Sequence, residues 1–590
     1  MSEEGAPTSL VGSGSKLRLS VISRDRRLLR GYGPLAALLV AFVLMAMLVP
    51  TVAPTQVTVH DTRTVKTSGA GGTAGGSGNG TASNTSPGSA GGTAGTSGTP
   101  ASGGSASGGG TSGPRTLGKT SACGGQAEQV PGDPYSPPCI AFSGSNGGAS
   151  SPGVSANQIN LTFRTAAGSQ SFQQALAQLG GANITDTDAD VQRTINALAT
   201  YFDTHFQFYG RKLNIEYYNG QGNETNELLG TGQQQANADA VTAAQSLHAF
   251  GELNGTTEPY DVALAGQKVM SFGAPYLSAQ FMGQYDPYMW SIAPECNDVV
   301  QVTEEFALKT LASTNATWAG GSLQGKPRKV AIIAPSDPWY QACANVAVQE
   351  AAAAGHPVTD DIQYQLNLST ASSQAATIIS QLQNDGITTV VCGCDPVTPA
   401  FLTSRAQQQG YTPEWVVAGT ALTDFDLVGQ LFQQNEWSHA FGVSFLGPIT
   451  GKQDTFGYAA YKAVNPRSEP ANAVDLIYEQ LYQIAIGIQM AGPDLTPQTF
   501  EAGMRAYPGS QANSPHALYG TWAFPPGHYT PEVDSVEIYW DPNKVSPYNG
   551  CAGAYVQMSP RYRANQYPVG PPPIPSTFPI TPNPNNPPCH

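Results

Sequence analysis

The sequence predicts an α/β chain: two doubly wound parallel-sheet lobes with a ligand cleft between them, preceded by one transmembrane helix and a disordered linker. Three observations carry this. Short β-rich runs alternate with amphipathic stretches that stop at Gly between about 153 and 545, the pattern of a parallel sheet with crossover helices. A window from 31 to 59 holds no Asp, Glu, Lys or Arg. Between that window and the alternating region, 67–114 is almost wholly Gly, Ser, Thr and Ala.

Residues 1–32 form a basic segment, with Lys16, Arg18, Arg24, Arg26, Arg27 and Arg30 against Glu3, Glu4 and Asp25. The 21 residues that begin at Gly33 and end at Ala53 are long enough to cross a lipid bilayer as a helix. Their basic flank places the N-terminus in the cytoplasm and the remainder outside. A cleaved secretory signal is the rival, since Thr51, Val52 and Ala53 resemble a small-residue cleavage site; Pro54 directly after them argues for retention.

Within the linker, 54–114, the 48 residues 67–114 cannot bury enough apolar surface to offset their ordering entropy, and they predict a tether with a span of roughly 40 Å. Gly113 opens GPRTLGKT, a letter-for-letter match to the phosphate-loop pattern. That motif works only between a strand and a helix, and here a Gly/Ser coil precedes it, so the match is chance.

The charge of the 590-residue chain is −15, with only 12% of residues charged. Beyond residue 30 there are 21 basic and 39 acidic residues, which gives no electrostatic footing for nucleic acid. Cys123, Cys139, Cys296, Cys343, Cys392, Cys394, Cys551 and Cys589 all lie beyond the apolar window. An even count on the oxidising side reads as disulfides. Cys123 with Cys139 and Cys551 with Cys589 are the natural local pairs, and the other four make a cluster in one lobe. A metal is not expected, because Cys392-Gly393-Cys394 has no second ligand pair at zinc-like spacing and no two His lie three to five residues apart.

Within the alternating region 159–163 reads as a strand, followed by a helix capped by Thr187 and Asp190, with Val191, Ile195, Leu198, Phe202 and Phe206 as its buried face. Next come strand 213–218, helix 236–250, an ambiguous 261–265, and strand 268–272. The second half predicts strands at 329–334, 356–364, 388–392 and 414–418, separated by helices 339–354, 372–384 and 398–409. Gly355, Gly386 and Gly410 are their stops. Two such runs imply two lobes, and open α/β sheets bind ligands beyond the carboxyl ends of their strands.

Gly153 opens GVSANQI, Lys329 opens KVAIIAPSDPWY, Ala473 opens AVDLIYEQLYQIAIGIQMAG and Gly520 opens GTWAF. In order and spacing these resemble type I periplasmic binding proteins, specifically the branched-chain amino acid (Leu/Ile/Val) binding family of ABC transporter substrate-binding proteins. The resemblance implies that 153–293 and 442–523 build lobe 1, that 294–441 and closing strands at 524–545 build lobe 2, and that the chain crosses near Ala293, Phe441 and Ala523. Residues 115–152 would be a Cys-bearing extension and 546–590 a Pro-rich, Cys-bearing tail.

The resemblance further implies ligand contacts at Thr256, Thr257, Ala274 and Tyr276 from lobe 1, and at Trp339, Tyr340, Asp395 and Thr420 from lobe 2. Five have a plainer alternative: Thr256 and Thr257 as caps of the next helix, Tyr276 and Trp339 as packing, Asp395 as a cap. The turn 419–422 lacks the carboxylate with which family members pair a ligand ammonium, the next being Asp424. The implied function is a membrane-anchored extracellular binding protein that presents a small polar or aromatic metabolite to an ABC permease, with no cofactor. A surface sensing module of the same fold is the alternative. No catalytic residue is expected, since no nucleophile elbow, H-E-x-x-H or suitably placed His occurs.

Overall fold

The computed structural model describes residues 127–168, 186–273, 276–510 and 516–589. The apolar segment 33–53, the linker, Cys123 and Ala274 lie outside them. Among the described residues no helix is long and apolar enough to cross a membrane.

Two sheets organise the chain. The first holds β1 (Gln158–Ala167), β2 (Lys212–Asn223), β3 (Gly251–Glu252), β4 (Met270–Phe272) and β5 (Met289–Trp290), in the order β2-β1-β3-β4-β5. Every pairing in it is parallel. The second holds β6 (Val330–Pro335), β7 (Asp360–Tyr364), β8 (Thr389–Cys392), β9 (Glu414–Val417), β10 (Ala440–Ser444), β11 (Val536–Val545) and β12 (Ala552–Gln557), in the order β12-β11-β10-β9-β8-β6-β7. It is parallel from β10 to β7, and β11 and β12 extend it antiparallel. This is the doubly wound α/β architecture expected, with β12 drawn from the Pro-rich tail.

Among the described residues, ten helices of nine or more residues position the rest: α1 (Asp188–His205), α2 (Gln233–Val241), α3 (Glu258–Gly266), α4 (Cys296–Phe306), α5 (Pro338–Ala353), α6 (Ala371–Asp385), α7 (Thr398–Gln409), α8 (Phe456–Val464), α9 (Val474–Ala491) and α10 (Pro497–Ala506). Thr187 and Asp190 make the capping box on α1. Gly386 and Gly410 end α6 and α7 at φ +68° and +63°, a left-handed turn that costs Gly little and other residues more. The ambiguous 261–265 lies in α3, where Pro259 in the first turn fixes a helical φ.

Two expected elements differ. Segment 236–250 is helical only through a π-turn at Thr242–Ser246. His248 then takes φ +50°, and the Phe250 N–H bonds Asn160 O at 2.7 Å on β1, so the chain is pulled into the sheet. The motif from Gly520 to Phe524 is no strand but carries only an isolated bridge between Trp522 and Glu532. Trp522 instead stacks on Tyr135 of the N-terminal extension, with ring centroids 4.3 Å apart.

Both margins pack into cores. Tyr135 is buried and donates to the carbonyls of Tyr519 and Gly520 at 2.6 and 2.9 Å. Tyr567 and Phe578 of the tail lie buried against Phe306 and Phe441 of the second lobe. Disulfides join Cys296–Cys343, Cys392–Cys394 and Cys551–Cys589. The last is one of the two local pairs read from the sequence; Cys139 is also disulfide-bonded.

Candidate functional site

Strand order locates the site before any side chain is considered. In the first sheet β1 lies between β2 and β3, and in the second β6 lies between β7 and β8. Crossovers on either side of such a strand leave in opposite directions, so a crevice opens at its carboxyl end.

In the first lobe that crevice is filled. Arg164, near the end of β1, is 1% exposed and reaches both oxygens of Glu227 at 3.0 and 2.8 Å and Asp239 at 3.2 Å. It also lies 3.6 Å from the centroid of the Tyr260 ring. Glu252, the last residue of β3, accepts from Thr162, the Arg164 N–H and Tyr260. Burial raises the Glu252 carboxyl above its ordinary range. Thr257 occupies the N-cap position of α3 yet turns its hydroxyl to Glu227 at 2.6 Å. Thr256 is half-buried and reaches Glu224 at 3.4 Å. Both threonines named from the sequence are thus engaged with buried carboxylates.

In the second lobe two aspartates stand at the crevice. Asp395 is a cap: its Oδ1 accepts from the Val397 and Thr398 N–H groups at 2.7 and 3.0 Å, and its Oδ2 from Tyr364 at 2.6 Å. Asp337, just after β6, is 3% exposed and neither of its carboxylate oxygens has a hydrogen-bond partner. Burial pushes its carboxyl up to about 7, and the neighbouring charge of Asp395 adds to this. Thr420 donates to Cys394 O at 3.1 Å.

The lobes meet over aromatic rings. The Ala421 N–H donates to the Tyr276 hydroxyl. Tyr276 sits 5.9 Å from Tyr340, and Tyr340 sits 6.2 Å from Trp339, while Trp339 packs into the core of the first lobe. Tyr276, Ala421 and Leu422 have φ of +57°, +47° and +59°. Left-handed backbone at non-Gly residues costs about 1–2 kcal/mol each and gathers where a binding or switching role holds it in place.

From this junction a cavity of about 220 Å³ runs into the second lobe between α4 and α5, floored by β6. Tyr276, Tyr340 and Thr420 border one end, and Lys329 and His356 the other. Its cause is legible in α5: Ala344, Ala347 and Ala351 recur at helical spacing and face the cavity, so the helix stands over Ile332 and Ala334 without filling the gap. The Cys296–Cys343 disulfide ties α4 to α5 beside it.

Of the residues named from the sequence, Tyr276, Tyr340 and Thr420 share this cavity, and Trp339 lies beside Tyr340. Asp395, Thr256 and Thr257 are held in internal bonds, and Ala274 is outside the described residues. Sequence reasoning passed over Asp337 and the alanine face of α5. Both were readable: an Asp-Pro step ends the β6 run, and three alanines fall at i, i+3 and i+7.

The sequence matches a family model described as Periplasmic binding protein over residues 175–528. No curated protein matches it. Among solved structures it is similar to an ABC transporter substrate-binding protein from Aeropyrum pernix, at 14% identity over 69% of this chain and 96% of that one, with a TM-score of 0.48. It is similar to a solute-binding protein of an ABC transporter from Rhodopseudomonas palustris HaA2 in complex with p-hydroxybenzoic acid, at 12% identity, 70% and 98% coverage and a TM-score of 0.47. It is also similar to the leucine-, isoleucine-, valine-, threonine- and alanine-binding protein from Brucella ovis in a closed conformation, at 13% identity, 70% and 97% coverage and a TM-score of 0.46.

Proposed function

The chain belongs to the periplasmic binding protein family, and from that premise we propose that it is a membrane-anchored, extracellular substrate-binding protein of an ABC-type importer. Its two lobes close on a small aromatic or otherwise apolar metabolite bearing a polar group, and the closed form is presented to a permease. The observation that carries the ligand class is the cavity at the lobe junction, rimmed by Tyr276, Tyr340 and Thr420 and lined beyond them mainly by aliphatic side chains, with Glu304, Arg328, Lys329 and His356 also on its wall. Pockets of that composition bury an apolar body and orient it by a few polar groups. The Tyr276 hydroxyl bond to the Ala421 N–H joins the two lobes at the mouth, so a ligand that engages Tyr276 biases their closure. The apolar window at 33–53 supports the anchor.

Binding stabilises the native state by mass action. The test is a thermal-shift screen of aromatic acids, amino acids, amides and medium-chain acids, followed by native mass spectrometry of the best binder. At least one aromatic or apolar solute raises the unfolding midpoint, and Tyr340→Ala abolishes the rise. A screen in which only sugars or charged aliphatic solutes shift the midpoint overturns the ligand class.

A further inference from the structure

Away from the cavity, three side chains from two different crossings between the lobes converge. Glu295 is the N-cap residue of α4 and Asp298 lies in its first turn, where the chain has just left β5 for the second lobe. His528 sits on the later crossing, between α10 and β11. The two crossings are joined by backbone: the Ser291 N–H donates to Tyr529 O at 3.2 Å, and the Tyr529 N–H donates to Glu295 Oε1 at 2.5 Å.

That leaves Glu295 Oε2 in a fully buried side chain with no hydrogen-bond partner, and Asp298 Oδ2 is likewise unpartnered. Both aim at one point. His528 Nδ1 lies 3.5 Å from the first and 3.6 Å from the second, too far for a good hydrogen bond. The three donor atoms all fall within 4.8 Å of one another. Nearby Glu532 is 1% exposed with neither oxygen partnered. Arg505 is near enough to favour the Glu295 charge but makes no ion pair with the group: it pairs with Glu501 at 3.4 Å, donates to the carbonyls of Pro525 and His528 and stands about 5 Å over the Trp290 and Tyr529 rings. Among the described residues His528 is the one cationic partner in ion-pair range of the two carboxylates, and three buried or half-buried carboxylates with so little counter-charge are unfavourable.

We propose that Glu295 Oε2, Asp298 Oδ2 and His528 Nδ1 form a zinc site that ties the first crossing to the third, with water completing the shell. Ligands about 2.0–2.1 Å from a tetrahedral ion stand about 3.3–3.5 Å apart, close to the two separations of 3.5 and 3.6 Å from His528 Nδ1. Two carboxylates neutralise a divalent cation, and the imidazole nitrogen favours zinc over calcium or magnesium, which take oxygen ligands. His528 is 38% exposed, so the ion has a way in. Sequence spacing could not show the site, because its ligands lie 230 residues apart along the chain. Bound zinc fixes the N-terminus of α4, whose next turns wall the cavity, and so favours one relation of the lobes.

The test is zinc titration of the chelator-stripped full-length protein at neutral pH, read by calorimetry and by metal content after gel filtration. The expected result is one zinc per chain and a raised unfolding midpoint, with His528→Ala and Asp298→Asn each weakening binding at least tenfold. Both substitutions are at partly exposed side chains, and the metal-free midpoint shows whether each variant folds. No retained zinc, wild-type affinity in both variants, or calcium bound as tightly as zinc overturns the proposal. Because no solute is added, failure here leaves the solute-binding reading standing, and failure of the solute screen leaves this one standing.

Discussion

Arg164 and Glu227 form two parallel hydrogen bonds, of 3.0 and 2.8 Å, with both side chains withdrawn from solvent. The pair closes the crevice of the first sheet, joining a short helix, Glu224–Leu228, to the end of β1. Removing one partner strands the other as a buried charge, which costs about 3–5 kcal/mol. Glu227→Gln and Arg164→Met each therefore lower stability by about that much in urea unfolding, and a double variant recovers part of the loss. Additive single-variant losses would contradict the pairing.

Asp395 serves α7 and Tyr364. Asp395→Ala removes a cap and leaves Tyr364 without its acceptor, a loss of about 1–3 kcal/mol. Solute affinity, measured by calorimetry on the folded variant, stays within about twofold of wild type. A larger loss of affinity at unchanged stability would restore Asp395 to the ligand shell.

Mild acid is expected to stabilise this protein. Burial raises the folded carboxyl of Asp337 from 3.8 to about 7, so the native state holds a proton that the unfolded chain releases at lower pH. The contribution of Asp337 to stability therefore falls as pH climbs from about 4 to about 7 and is level above that. Glu436 and Glu537, raised by burial to about 7, and Asp424, raised to about 6, act in the same direction. Asp190 and Glu469, lowered by hydrogen bonds, act oppositely but at exposed positions. The wild-type midpoint is higher at pH 5.5 than at pH 7.5, and Asp337→Asn flattens that slope. An unchanged slope in the variant would locate the proton elsewhere.

Filling the cavity separates packing from binding. Ala344 is buried on the face of α5 that looks into it. Ala344→Phe places an aromatic ring in vacant apolar space, so the ligand-free midpoint rises by a few degrees. Solute affinity falls at least tenfold. Retained affinity would move the binding site out of the second lobe.

The tail is a structural strap. Cys551 and Cys589 enclose a loop with a sequence separation of 38, and a cross-link of that reach contributes about 3–4 kcal/mol by restricting the unfolded chain. The Cys551→Ala, Cys589→Ala double variant unfolds at a correspondingly lower urea concentration. Its tail also becomes cleavable by protease near Tyr567 and Phe578, which the strap keeps buried.

Local rules written into the chain decided much of this protein. Thr187 with Asp190 announces the start of α1, Gly386 and Gly410 announce the ends of α6 and α7, and aliphatic runs such as 330–335 announce parallel strands, because capping, left-handed turns and burial on two faces act over a few residues. Tertiary structure decided what local rules cannot reach. The strand motif from Gly520 to Phe524 yielded to the stacking of Trp522 on Tyr135, a contact between segments nearly 400 residues apart. Thr257 and Asp395, of the right type and at the right strand ends for a ligand, were claimed by Glu227 and by the α7 N–H groups. Asp337, unremarkable in sequence, became the unpaired carboxylate of the second crevice, since burial and partner count exist only once the sheets are assembled.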